Sequence, residues 1–201
     1  MKTLGIDCSG KLVRVFAQNG KKVKAVERAG VSGTDSLLPL VDECLNDVGL
    51  SAKDISSLAI GLGPGSWTGS RVCVATSLGL ISALKDVKIY TYSSFDLVEY
   101  GIDKFDYSVV GAYASFVFLR KCGGEACCVE KSYVQKLILE GAVVVGEEKL
   151  FDGQVQVEVD FASFVQNKIK TSGSVGIDAV EPIYLKLSQA EEQLKKKRGA
   201  V

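Results

Sequence analysis

The chain has 201 residues, 47% of them hydrophobic, with 24 acidic and 24 basic residues and no histidine. That length allows one large domain or two small lobes around a sizeable core. Zero net charge speaks against a protein that grips a nucleic-acid backbone alone, and the missing imidazole removes histidine metal sites, Ser-His or Cys-His pairs and histidine general bases.

Residues 3–7 form a short apolar strand ending in the carboxylate of Asp7. That carboxylate sits where the apolar core of a leader peptide would have to continue. No apolar run nears the roughly 20 residues of a membrane span. The chain therefore reads as soluble and cytoplasmic. A second strand covers 12–17, and Asn19-Gly20 turns it into a third at 23–27, because Asn-Gly suits the hairpin turn that needs positive φ.

Residues 35–48 are helical, with Leu37, Val41, Leu45 and Val48 recurring at helical spacing. Pro39 falls in the first turns, where its missing N–H matters least, and Gly49 supplies a left-handed cap. A buried strand at 57–62 leads into the glycine-rich stretch GLGPGSWTGSR, residues 61–71, then a helix over 68–85 and a strand at 87–92. Strand, helix, strand with short connections predicts a right-handed parallel crossover.

The glycine loop fits neither phosphate-binding pattern. No lysine follows its glycines, and Ser66 stands where a dinucleotide fingerprint needs its third glycine. It reads as a strand-to-helix elbow capped by Ser66 or Thr68, with anion binding at its N–H groups as the alternative. In the helix behind it, Gly69, Cys73, Thr76, Leu80 and Ala83 form one stripe, and Val74, Leu78 and Ile81 another roughly opposite. A helix apolar on two sides is covered on two sides. One cover is its own sheet. The other is the helix at 35–48, or else both helices form a face for a partner protein.

The second half repeats the idiom more loosely. A short helix is expected near 95–102 and a strand at 107–114, then a hairpin of 116–121 with 127–131 and strands at 142–145 and 154–159. An amphipathic helix at 161–170, an extended 182–185 and a charged terminal helix at 188–197 follow. Ser188 with Glu191 makes a capping box for the last, and Lys195–Arg198 reads as its solvated end. Cys44 and Cys73 read as small core residues, and Cys122 and Cys127 could oppose one another across the hairpin and pair.

The loop Gly63, Pro64, Gly65, Ser66, Trp67, Thr68, Gly69, Ser70, Arg71, continuing through Ala75, Gly79 and Leu80, resembles the GPGSFTGxR signature of the bacterial TsaB (YeaZ) family. Trp67 replaces the usual Phe and Cys73 a usual Gly. Residues 6–9 (IDCS) resemble the family's opening IDTS, 37–41 (LLPLV) its LLPxI helix, and 181–186 (EPIYLK) its closing xPxYLR. The resemblance is specific at the loop and weak over 101–175.

That resemblance implies an α/β, two-lobed actin-like ATPase (ribonuclease H-like) fold of mixed sheets with flanking helices. The lobes would be 1–97, with the partner-binding helices, and 98–201, with a terminal helix. It implies a non-catalytic partner of the TsaD threonylcarbamoyl transferase, which modifies tRNA beside the anticodon, with the TsaE ATPase joining and a homodimer as a further state. tRNA is then met only through the complex. The expected partner-binding residues are Leu37, Val41, Leu45, Val72, Thr76 and Leu80.

No cofactor or metal of its own is expected, and nucleotide only at a partner interface. Many relatives carry a histidine where this chain has Gly33, and an acidic-Ala-Arg motif where it reads Val110-Gly111-Ala112-Tyr113-Ala114. Two other functions are weighed. An ATP-dependent enzyme of the actin-like class would use Asp7 and Ser9 as a phosphate loop, though Asp7 reads more readily as a strand-end turn residue and residues 109–111 lack a matching acid. A peptidase would need Ser66 or Cys8 as nucleophile without a histidine base.

Overall fold

A computed structural model of the protein describes residues 1–185. Its first sheet has the order β3-β2-β1-β4-β5. β1 (Lys2–Asp7), β2 (Leu12–Asn19) and β3 (Lys22–Ala29) form the antiparallel meander, with Gly20 at φ 60° in the Asn-Gly turn. β4 (Ser57–Gly61) and β5 (Lys88–Tyr92) add in parallel through crossovers. α1 (Gly33–Val48) lies over β2 and β3, and α2 (Trp67–Ala83) packs beside it over β4. α1 is held by Leu37, Leu40, Val41, Cys44, Leu45 and Val48, one buried stripe. Gly49 ends it at φ 73°, the left-handed cap that glycine takes without a Cβ clash.

The short α3 (Ser94–Val98) carries a capping box of Ser93 with Asp96 and leads to the second sheet, ordered β10-β9-β6-β7-β8. Its strands are β6 (Tyr107–Gly111), β7 (Phe116–Lys121), β8 (Ala126–Glu130), β9 (Val144–Gly146) and β10 (Val155–Gln156). α4 (Lys131–Leu139), where the sequence reading placed no element, buries Val134 in a core cluster with Val109, Val117 and Leu119. α5 (Phe161–Thr171), capped by Asp160, returns to the first sheet. Its Phe161, Phe164, Val165 and Ile169 pack on Phe16, Ala59, Tyr90 and Tyr92. The observed architecture is therefore α/β, two lobes each built on a mixed five-stranded sheet with flanking helices. The expected terminal helix, its Ser188 cap and the basic run lie outside the described residues.

Several expected boundaries shift. β6 ends at Gly111 rather than 114, and α3 is shorter than expected. Cys122 and Cys127 do not oppose each other: β8 sets Cys127 against Leu119, and both cysteines are free thiols. In contrast Cys8, Cys44 and Cys73 are buried. Burial pushes the Cys44 thiol up to about 11 from an ordinary 9.0. The folded state thus disfavours the thiolate, and Cys44 withdraws stability as pH rises from about 9 towards 11. With native protein at pH 8, a thiol-specific alkylating reagent is expected to modify Cys122 and Cys127 and to leave Cys8, Cys44 and Cys73 intact until denaturant is added. Mass mapping of the labelled peptides reads this out, and early labelling of Cys44 would show that α1 does not seal it.

Candidate functional site

The glycine loop is built onto the end of β1. The Ser66 N–H donates to the Ser9 carbonyl at 2.5 Å, the Gly69 N–H to Ser66 Oγ at 3.1 Å, and the Ser70 N–H to the Ser66 carbonyl at 2.9 Å. A Cβ on Gly65 would overlap the carbonyl oxygen of Ser9, and one on Gly69 that of Cys8. A Cβ on Gly61 would lie 2.6 Å from the Asp7 carboxyl carbon. The glycines are there because two backbones meet at closest range. The Gly69 and Ser70 N–H groups at the start of α2 are thus taken up by Ser66, which caps the helix as the elbow reading expects, while Thr68 is exposed.

The same loop captures the far end of the chain. Trp67 stacks on Tyr184 with ring centroids 4.3 Å apart, and Arg71 lies 4.7 Å over the Trp67 ring while donating through Nε to Tyr184 Oη at 2.8 Å. The Ile183 N–H donates to the Leu62 carbonyl. Two motifs more than a hundred residues apart thus form one cluster, a pairing the sequence had no local signal to reveal.

Asp7 and Ser9 sit at a cleft between the lobes, facing Ser94 of α3, Gly111 of β6 and the acidic pair Glu147 and Glu148. The Asp7 carboxylate accepts from both the N–H and the Oγ of Ser9 at 2.7 Å, the geometry of a strand-end turn. Arg14 stands on β2 with a side chain 2% exposed, yet its guanidinium pairs with Glu27 at 3.1 Å and with Glu147 across the cleft. Lys11 adds a second crossing pair to Glu148 at 2.9 Å. The cleft holds about 30 Å³, room for one or two waters. Arg120 of β7 ties the second sheet to α3, bonding Asp96 and Glu99 and lying 5.0 Å over Phe95. Burial alone would lower the Arg120 pKa, but the carboxylates of Glu99 and Asp96 outweigh it and hold the guanidinium charged. Neither arginine is marked out in the sequence, because the carboxylates that pair with each stand on other elements of the fold.

The six expected partner residues divide. Leu37, Val41 and Leu45 are 1–2% exposed in the single chain and bind α1 to the sheet, which corrects their placement on a partner face. Val72, Thr76 and Leu80 of α2 are half-buried. The outward surface of α2 is carried instead by Ala75 and Gly79, both exposed, with Val72 and Thr76 on one side and Leu78 on the other. No charged residue occurs from 72 to 84. Among the described residues no cluster of three potential metal ligands is found, and no helix is long and apolar enough to cross a membrane.

The family model for TsaD, tRNA N6-adenosine threonylcarbamoyltransferase, matches residues 27–98. Two curated proteins named tRNA threonylcarbamoyladenosine biosynthesis protein TsaB align in part. The Haemophilus influenzae protein is 37% identical over 78 residues, covering 38% of this chain and 33% of the relative. The Escherichia coli K12 protein is 37% identical over 81 residues, covering 40% and 35%. The chain thus matches about a third of the length of either relative. YeaZ from Pseudomonas aeruginosa superposes at a TM-score of 0.67 over 92% of this chain and 99% of that one, at 16% identity. A structure described as an uncharacterized protein with similarity to peptidase YEAZ from Pseudomonas aeruginosa gives 0.68 over the same shares, at 17% identity. At such identities these neighbours speak for the fold, which is the two-lobed actin-like, ribonuclease H-like one. Taken with the partial matches to TsaB, the signature loop and that shared fold support assigning this chain to the TsaB (YeaZ) family.

Proposed function

We infer that the chain is a non-catalytic subunit of the apparatus that makes threonylcarbamoyladenosine beside the tRNA anticodon. It docks on a TsaD-type transferase through the outward face of α2. The observation that carries this reading is that face: thirteen successive residues, 72–84, without a charge on a surface helix. Surface helices ordinarily turn a charged side to water. An uncharged side is what a lasting protein interface resembles. The names of the curated relatives and the TsaD family match give the pathway. A TsaE-type ATPase joins the assembly, tRNA is met through the complex, and a second copy takes the same face when the transferase is absent. Any nucleotide belongs to a partner interface.

The ATP-dependent alternative has less support. The Asp7 carboxylate is engaged by Ser9, the cleft is bridged by Arg14–Glu147 and Lys11–Glu148, and residues 109–111 carry no acid to hold Mg²⁺.

The test uses Gly79→Arg. A Cβ at Gly79 has no heavy atom within 4 Å, so the variant folds while placing bulk and charge on the face. Mixed with its TsaD-family partner, the native chain is expected to form a stable heteromer by light scattering. Gly79→Arg is expected to weaken it by about 30-fold or more, as at a binding hot spot. A folded variant that binds unchanged, or ATP turnover by the isolated native chain, refutes the reading.

A further inference from the structure

We propose that the end of the first lobe at which β1, β3, β4 and β5 begin is a phosphate-backbone surface, by which this chain adds contacts to the tRNA that the complex handles. The four strands run one way, so Lys22 of β3, Lys2 of β1 and Lys88 of β5 open onto one end of the sheet. Lys21 stands in the turn before β3. α1 and α2 return to the same end. Asn19 Nδ2 donates to the Val48 carbonyl at 3.1 Å, and the Lys88 N–H donates to the Ser56 carbonyl at 3.0 Å. That places Lys53, in the turn before β4, and Lys85, after α2, beside the strand starts. α5 comes down the other face. Its Phe164 meets Tyr92 at the far end of β5, and Val165 lies against Gly5 of β1. The last turn, with Lys168 and Lys170, therefore lies towards the strand starts.

Charge decides what this end can hold. Lys2 is paired with Asp54 and Lys24 with Asp47. Lys21, Lys22, Lys53, Lys85, Lys88 and Lys170 are exposed, and like the half-buried Lys168 they form no ion pair among the described residues. Of the carboxylates described at this end, those two pairs leave Asp86. The C-terminal ends of α1, α2 and α5 meet here too, and each carries about half a negative charge. Together with Asp86 they offset about two and a half lysines and leave a surplus of about four positive charges. Helix ends alone thus do not account for the lysines. The whole chain has zero net charge, so acids prevail elsewhere, as in the cleft lined by Asp7, Glu147 and Glu148. At the usual strand spacing, β3 to β5 spans about 19 Å, room for several successive phosphates of one strand. Flexible ammonium groups in such a row neutralise phosphate without reading bases, so the surface adds affinity and not sequence choice. That the polyanion is tRNA rests on the reading above; the surplus of charge does not.

The test is the fluorescence anisotropy of labelled, unmodified tRNA, titrated at rising salt with the full chain assembled on its TsaD-family partner and with the chain alone. Three exposed lysines are neutralised together in Lys21→Gln/Lys88→Gln/Lys170→Gln. The control, Lys104→Gln/Lys121→Gln/Lys136→Gln, removes the same charge from exposed sites away from this end. The first variant is expected to assemble unchanged by light scattering, to bind tRNA about tenfold more weakly at low salt, and to flatten the plot of log affinity against log salt by about two. The control is expected to change the affinity by less than about twofold. Equal losses in the two variants, an unchanged salt slope in the first, or no tRNA binding by the native assembly overturns the proposal. So does a native chain that binds phosphatidylserine vesicles and not tRNA. If no heteromer forms, the partner reading fails and the isolated chain decides the surface: tRNA binding lost in the first variant sustains it, and the absence of lysine-dependent binding overturns it.

Discussion

Gly69→Ala is expected to destabilise the protein by about 3 kcal/mol, and Gly79→Ala, ten residues along the same helix, to stabilise it by about 0.5–1 kcal/mol. The two substitutions add the same methyl to the same secondary structure. At Gly69 that methyl would overlap the Cys8 carbonyl, a backbone atom that cannot rotate away, and the Ser66 Cβ stands 3.2 Å off. The loop after β1 must then move, and with it the Ser66–Ser9 hydrogen bond and the stack of Trp67 on Tyr184. At Gly79 the methyl meets open space, and what remains is the helix propensity that alanine has over glycine. Chemical denaturation of both variants is the measurement. The chain's single tryptophan, Trp67, reports on the loop directly. Equal effects of the two changes would mean that the loop does not close on β1 as described.

Arg14→Ala is expected to lower stability by about 3 kcal/mol or more, since removing one partner of a buried pair leaves charge uncompensated. The lower end of that range applies here. Glu27 and Glu147 keep a quarter to a third of their side-chain surface and can take up water once the guanidinium is gone. The deletion also leaves Asp7, Glu147 and Glu148 facing one cleft, where among the described residues Lys11 remains paired with Glu148. The second lobe is then expected to loosen first, seen as faster amide exchange in β6 and β9 than in β1 and β4. A loss below about 1 kcal/mol would show that the lobes are held by packing alone. Raising the salt concentration should weaken the exposed Lys11–Glu148 crossing and leave the sheltered Arg14–Glu147 pair.

Local chemistry made the elements of the first lobe legible. Asn19-Gly20 set the hairpin, the Leu37-Val41-Leu45-Val48 spacing set α1, Gly49 ended it and Ser66 capped α2. Each signal lies within a few residues of the structure it specifies. α4 is not legible in the sequence, because its short stretch buries one side chain fully, Val134, and so carries little periodic pattern. Cys122 and Cys127 looked paired because they flank a turn, yet strand register, fixed by the whole ladder from Phe116 to Glu130, sets Cys127 against Leu119.

What the sequence by itself determined is the class of protein: no imidazole chemistry, no net charge, and a diagnostic loop joining a buried strand to a helix of two apolar sides. What only the tertiary structure decided is which side of each helix is left for a partner, and which glycine is indispensable. Leu37, Val41 and Leu45 have the pattern of an interface, but a sheet of the same chain reaches them first. Periodicity states that a face is to be covered and not by what, because burial by one's own sheet and burial by another molecule remove the same apolar surface from water.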